Sequence, residues 1–206
     1  MRRKNMFISF EGIDGCGKGT QISYLEKYLD SIGKTYIVVR EPGGTEIGET
    51  IREVLLHSKF AITGKAELLL FLASRAQLVH EKILPALKEG KVVIADRFID
   101  SSVAYQGAGR KIGVEEVKKL NSFATENIKP DITFYIDIPV STFYQRKPFA
   151  DRIECEGTAF LETVRQAYLK MAHEEPNRIV VIDGSKNTED VWKSILSHLN
   201  QVRDLI

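Results

Sequence analysis

Apolar residues along the chain fall into two patterns. Five short runs are continuous: Met6 to Phe10, Tyr36 to Arg40, Lys91 to Asp96, Asp131 to Asp137 and Arg178 to Asp183. A run without polar alternation predicts a strand buried on both faces. Between these runs the spacing turns helical. Ile22, Leu25, Leu29 and Ile32 share one face over 19–32, and Gly33 follows as a stop. Further helices are expected around 46–56, 66–87, 114–125, 158–173 and 188–203. Continuous strands alternating with helices predict an α/β fold: a five-stranded parallel sheet flanked by helices, in three layers.

The 66–87 helix departs from ordinary amphipathicity. Its start, Leu68-Leu-Leu-Phe-Leu-Ala73, is apolar almost all round, so it calls for burial on more than one side. A second copy of the chain is a natural cover. Pro85 should kink or interrupt this helix, and Gly90 ends it. No internal repeat or linker divides the 206 residues, which predicts a single domain over 1–206.

The first strand breaks into Gly12-Ile13-Asp14-Gly15-Cys16-Gly17-Lys18-Gly19-Thr20, and a helix follows. Strand, glycine-rich turn and helix are the setting in which Gly-x-x-x-x-Gly-Lys binds phosphate. The glycines permit close backbone approach, and the loop amides and helix N-terminus aim donors at an anion. Lys18 adds a full charge where β- and γ-phosphates would lie. The bland reading is a turn with nothing bound. Gly19 stands where Ser or Thr usually coordinates Mg²⁺, so the metal must be held by phosphate oxygens, water and an acid from elsewhere. Cys16, at the helix N-terminus, is expected to be an acidified, oxidisable thiol.

Glu11, Asp96 and Asp137 close three strands at their carboxyl ends, the edge where open α/β sheets bind ligands. Asp96 is placed to hold Mg²⁺ through water, and Arg97 to grip a phosphate; the alternative is an ion pair capping the strand. Glu41 reads either as a second metal-side acid or as part of the Pro-Gly-Gly turn after it. Asp14, a carboxylate inside an anion-binding loop, needs its own partner, such as a sugar hydroxyl or metal-bound water, unless it is simply solvated. Phe71 and Arg75 share a helix face, which suits a base pocket but equally a core ring beside a surface charge. Ser101-Ser-Val-Ala-Tyr-Gln-Gly107 could line a pocket or cap a helix. Arg146 to Arg152 reads as a short basic lid over about 144–156, or as a solvated loop.

Composition narrows the classes. Twenty-nine basic against 28 acidic side chains give a net charge of +1, which argues against a nucleic-acid-binding surface. Cys16 and Cys155, far apart, make neither a metal spacing nor a disulfide framework, and the four histidines show no ligand spacing. No run approaches membrane-spanning length, and the N-terminal basic residues lead into too short an apolar run for a signal peptide. A soluble, cytoplasmic protein is expected.

Phe10-Glu-Gly-Ile-Asp-Gly15, Arg40-Glu-Pro-Gly-Gly-Thr45 with Gly48 and Arg52, Phe71-Leu-Ala-Ser-Arg75, Asp96-Arg97, Ser101 to Gly107, Asp131 to Asp137, Asp151-Arg-Ile-Glu154 and Val164-Arg165 with Tyr168-Leu169 together closely resemble the thymidylate kinase family. The resemblance runs through nearly the whole chain. It implies a P-loop NTPase-type fold and an enzyme that moves the γ-phosphoryl of ATP onto dTMP with Mg²⁺, typically as a homodimer. By that likeness Phe71 stacks on thymine, Arg75 donates to a thymine carbonyl, and Ser102 and Gln106 read the rest of the base edge. Tyr105 sits against the sugar, Asp14 meets the 3′-hydroxyl region, Arg97 and Arg52 meet the acceptor phosphate, and Gly184 to Lys186 lies near adenine. Lys18, Arg97 and the lid residues Arg146 and Arg152 become the catalytic cations, because the loop's variable positions carry no basic residue. Competing readings are a P-loop kinase for another (deoxy)nucleotide or a deoxynucleoside, and a GTP-binding switch. The last lacks Asn-Lys-x-Asp for guanine.

Overall fold

The computed structural model describes residues 6–146 and 152–201. Its centre is a five-stranded sheet in the order β2-β3-β1-β4-β5. The strands are β1 (Phe7–Glu11), β2 (Tyr36–Arg40), β3 (Val92–Asp96), β4 (Ile132–Asp137) and β5 (Ile179–Asp183). Every pairing is parallel, and Phe10 stands opposite Asp96 on one side and Phe134 on the other. Burial on both faces accounts for the continuous apolar runs of β1, β3 and β4, whereas the edge strands β2 and β5 leave Val38 and Val181 exposed. Ile8, Phe10 and Ile94 enter the larger core, whereas Phe7, Val93 and Ala95 enter a second one with Leu78, Val79, Ile83 and Ala86. Each large apolar side chain so buried stabilises the fold by about 1.5–3 kcal/mol against leaving it in water.

Helix α1 (Lys18–Ser31) follows the glycine loop and α2 (Glu46–His57) starts at Thr45, whose hydroxyl accepts from the Gly48 amide at 3.0 Å. The long helix forms in three pieces: α3 (Gly64–Leu78), a π-helical turn (Val79–Ile83) and α4 (Leu84–Lys88). Pro85 interrupts it as expected, but by widening one turn: the Leu84 amide reaches back to the Val79 carbonyl, and the helix continues. Then come α5 (Ile99–Ser102) running into a π-helical stretch (Val103–Gly109), α6 (Val114–Ala124), α7 (Val140–Arg146), α8 (Thr158–Glu174) and α9 (Thr188–Gln201). The segment read as a polar cluster, 101–107, is thus helical and buried. Among the described residues no helix is long and apolar enough to cross a membrane.

Candidate active site

The glycine loop, residues 12–17, joins the central strand β1 to α1 at the carboxyl edge of the sheet. Gly12 has φ +141°, and a Cβ there would stand 2.6 Å from the Ile136 carbonyl oxygen and 2.8 Å from Cys16 Sγ. Only glycine fits that approach. Gly17, also left-handed, precedes α1, whose N-terminus takes no side-chain cap and has no acid in its first turn. Its first amides and dipole are therefore available to an anion, which suits the triphosphate that the loop motif implies.

Lys18 is buried and its Nζ lies 3.1 Å from the Gly12 carbonyl oxygen and 3.5 Å from Asp14 Oδ1. Burial and the Arg97 charge press its pKa down, but Cys16, Asp14 and Asp96 outweigh them and leave it raised, so the ammonium persists. Arg97 follows β3 at φ +70°, a left-handed backbone rare outside glycine. Its Nη2 donates to Asp14 Oδ1 at 2.8 Å and its Nη1 to Ser101 Oγ at 3.2 Å. Asp14 thus has its partners within the protein, bridging the loop lysine to Arg97. Burial pushes the Cys16 thiol up, against the pull of Lys18 and Arg97, and the residue is only 4% exposed. The expected acidified thiol is corrected: a helix N-terminus does not compensate for loss of solvent here.

Glu11 holds this corner from below. It is fully buried; Oε1 accepts from the Phe98 amide at 2.8 Å, and Oε2 accepts from Ser101 Oγ at 2.6 Å and Tyr168 at 2.8 Å. The carboxylate therefore fixes both the backbone after Arg97 and the serine that holds its guanidinium. Burial, then the Asp100 charge, pushes Glu11 up to about 7.

In front of Arg97 opens a cavity of about 210 Å³, lined by Asp14, Glu41, Arg52, Phe71, Asp96, Arg97, Ser101, Ser102, Tyr105, Gln106 and Ile153, among others. The structure thus gathers most of the expected substrate residues, drawn from four stretches of chain, into one space. Arg52 Nη1 donates to the Pro42 carbonyl at 2.8 Å. Tyr105 carries the Arg97 guanidinium over its ring at 5.2 Å, and its buried hydroxyl takes no hydrogen bond from the described residues.

Two expected roles meet a different geometry. Arg75 is 1% exposed and does not line the cavity. Its Nε and Nη2 hold both oxygens of Glu41, Nη1 donates to Ser102 Oγ and Asn121 Oδ1, and Nη2 also reaches the Phe98 carbonyl. All five N–H groups are committed, so donation to a base requires one of these bonds to be exchanged. Glu41 in turn spends its carboxylate on Arg75, which leaves Asp96 as the strand-end acid open to the cavity. Among the described residues no group of three or more His, Cys, Asp or Glu is arranged around a metal position.

The two arginines of the expected lid part company. Arg146 Nη1 donates to the Gly15 carbonyl at 3.2 Å, beside the phosphate loop. Arg152 is turned to the other wall: its Nε donates to the Leu55 carbonyl at 2.8 Å and its Nη2 to Glu67 at 2.7 Å. Lys147 to Asp151, the middle of the expected lid, lie outside the described residues. Gly19 and Thr20 are exposed on α1. At the same sheet edge, the Gly184 amide donates to the Asp137 carbonyl, and Asp137 is gripped by both prongs of Arg165. Sequence reasoning missed Glu67 and Asn121, and named Tyr168 within a family motif without giving it a role. All are polar residues on otherwise apolar helix faces, a signal that marks burial but names no partner.

A glycine-rich loop at the switch point of a parallel sheet, beside a cavity lined by arginines, aromatic rings and polar side chains, is the arrangement of a P-loop NTPase-type fold. Comparison with known proteins narrows this. The thymidylate kinase family matches residues 10–195. The chain is 56% identical over 197 residues to the thymidylate kinase of Fervidobacterium nodosum, covering 95% of this chain and 98% of that one. It is 56% identical over 194 residues to that of Thermosipho africanus, covering 93% and 96%. The crystal structure of thymidylate kinase from Ehrlichia chaffeensis matches with TM-score 0.78 at 35% identity, covering 95% of this chain and 98% of that chain. The chain belongs to the thymidylate kinase family.

Proposed function

We propose that this enzyme transfers the γ-phosphoryl group of ATP to the 5′-phosphate of dTMP, giving dTDP and ADP, and that Lys18, Arg97 and Arg146 are its catalytic cations. The observation that carries the reading is the Lys18–Asp14–Arg97 bridge, which joins the phosphate loop to the cavity at distances of 3.5 and 2.8 Å. The 12–20 loop is the ATP phosphate site. Phe71, Ser102, Tyr105 and Gln106 form the nucleoside wall, and Arg52 and Arg97 receive the acceptor phosphate.

An acceptor monophosphate has its second pKa near ~6, so it is largely dianionic at neutral pH and is already a nucleophile. One of its oxygens bonds to the γ-phosphorus as the β–γ bridging bond breaks, and ADP departs with the electron pair. No general base is needed. The protein holds two anions in line and spreads positive charge between them. Mg²⁺, held by Asp96 through water together with phosphate oxygens, would supply further neutralisation. Arg75 and Glu41 act from behind, fixing Ser102 and the turn at Pro42.

The chain is further proposed to act as a homodimer in the cytoplasm, where nucleotides are held. On α3 Leu69 is 60% exposed; the neighbouring helices α2 and α6 add Ile47, Val54 and Phe123 to the exposed apolar residues. A second copy is the proposed cover for these side chains.

An acceptor panel tests the function: ADP release with ATP, Mg²⁺ and each of dTMP, dUMP, dCMP, dGMP, UMP and AMP. Selective turnover of dTMP is expected. Preference for another acceptor would leave only the phosphate-loop half of the reading.

A further inference from the structure

Gln106 lines the cavity yet is only 1% exposed. Its Nε2 donates to Glu67 Oε1 at 2.9 Å. Glu67, on the first turn of α3, is completely buried and does not line the cavity. It also accepts from Arg110 through Nε at 3.1 Å and Nη2 at 2.9 Å, and from Arg152 Nη2 at 2.7 Å. Burial pushes this carboxyl up, but the bonds from Arg110, Gln106 and Arg152 outweigh it and hold it below the ordinary carboxylate value.

A carboxylate clasped by two guanidiniums is ionised and accepts only. A primary amide has one accepting end and one donating end. Whichever way the Gln106 amide is drawn, only its –NH₂ can face Glu67. Its carbonyl oxygen is then the end left for the cavity, and Oε1 accepts no hydrogen bond from any described residue. The five N–H groups of Arg75 are committed, whereas this oxygen is an acceptor left open at the cavity wall.

We infer that Glu67 is a specificity-positioning residue: by taking the Gln106 amide N–H it leaves the cavity a fixed acceptor, which selects a pyrimidine carrying N3–H. Thymine and uracil present that donor. Cytosine presents a lone pair at N3, so two acceptors would meet. An unpaired or opposed polar group in a dry site should discriminate by about 5- to 150-fold. The inference rests on the cavity being the pyrimidine-nucleotide site proposed above.

The test compares kcat/KM for dTMP and 5-methyl-dCMP, which share methyl, sugar and phosphate and differ only at N3 and the 4-substituent. Wild type, Glu67→Gln, Gln106→Leu and the double variant are measured. Glu67→Gln keeps shape but offers both a donor and an acceptor, so the Gln106 amide can turn over. Its preference for dTMP should fall about 10-fold or more. Gln106→Leu should lose a similar factor, and the double variant should lose no more than Gln106→Leu alone, because the two residues act as one unit.

A Glu67→Gln enzyme that slows on both substrates equally, with the wild-type preference intact, has lost only structure and overturns the inference. So does additivity in the double variant. Should Glu67→Gln not fold, Gln106→Leu decides: an unchanged preference sinks the inference, and a lost one supports it. Wild-type enzyme that prefers 5-methyl-dCMP or ignores dTMP would instead overturn the functional reading beneath it.

Discussion

On the proposed mechanism, Arg97 concentrates the chemistry in one residue. Its left-handed backbone is held by the amide-to-carboxylate bond from Phe98 to Glu11, and its guanidinium spans Asp14 and Ser101. Arg97→Ala should lower kcat/KM about 10³-fold or more, in line with an arginine that neutralises transferring phosphate. Circular dichroism should show the fold intact; near-normal turnover would remove Arg97 from the mechanism. Glu11 carries a pH signature. With its native pKa near 7 against an ordinary 4.5, the folded protein binds more protons than the unfolded one between those values. Stability from this group is therefore lost as pH rises through that window, by about 3 kcal/mol in all. Urea unfolding at pH 5 and 7.5 should show that loss in wild type and a flatter response in Glu11→Gln. Equal slopes would contradict it. At this scale the glycine loop after β1 and the placing of Asp96 and Arg97 at the sheet edge were legible, because each is local in sequence. The commitment of Arg75 to Glu41 was not, since spacing on one helix cannot report a partner 34 residues away.

Helices and strands were legible wherever hydrophobic period was long and regular, and most bounds agree within a residue or two. The exceptions are α7 (Val140–Arg146), where no helix was expected, and 99–109. Two serines and two glycines make that stretch a poor helix by propensity, and packing from α6 and α8 overrides it. The two arginines of the expected lid show how elements separate side chains that composition leaves alike. α7 ends with Arg146 at the phosphate loop, whereas Arg152 is tied to the α2 and α3 wall. Arg146→Ala should therefore lower kcat about 10²- to 10³-fold with little change in KM for dTMP. Arg152→Ala should act mainly on that KM. Steady-state kinetics with dTMP varied would show the reverse split if the two roles were exchanged.

For the whole molecule, five parallel strands and their covering helices followed from the continuous apolar runs, but the order β2-β3-β1-β4-β5 did not. Order is set by crossovers and by which helix packs on which face, and no single run encodes that. It places β1 centrally, so that the glycine loop opens beside the ends of β3 and β4. The all-round apolar start of α3 is partly absorbed by its own core through Leu68 and Leu72, while Leu69 remains outside. Leu69→Glu should convert a dimer to a monomer in sedimentation at micromolar concentration; a wild-type monomer would contradict that face as an interface. The central claim is phosphoryl transfer between two bound nucleotides. ATP labelled at the γ-phosphate, mixed with dTMP and Mg²⁺, should deliver its label to dTDP in step with ADP release. Label appearing only as inorganic phosphate, at a rate indifferent to dTMP, would contradict the account.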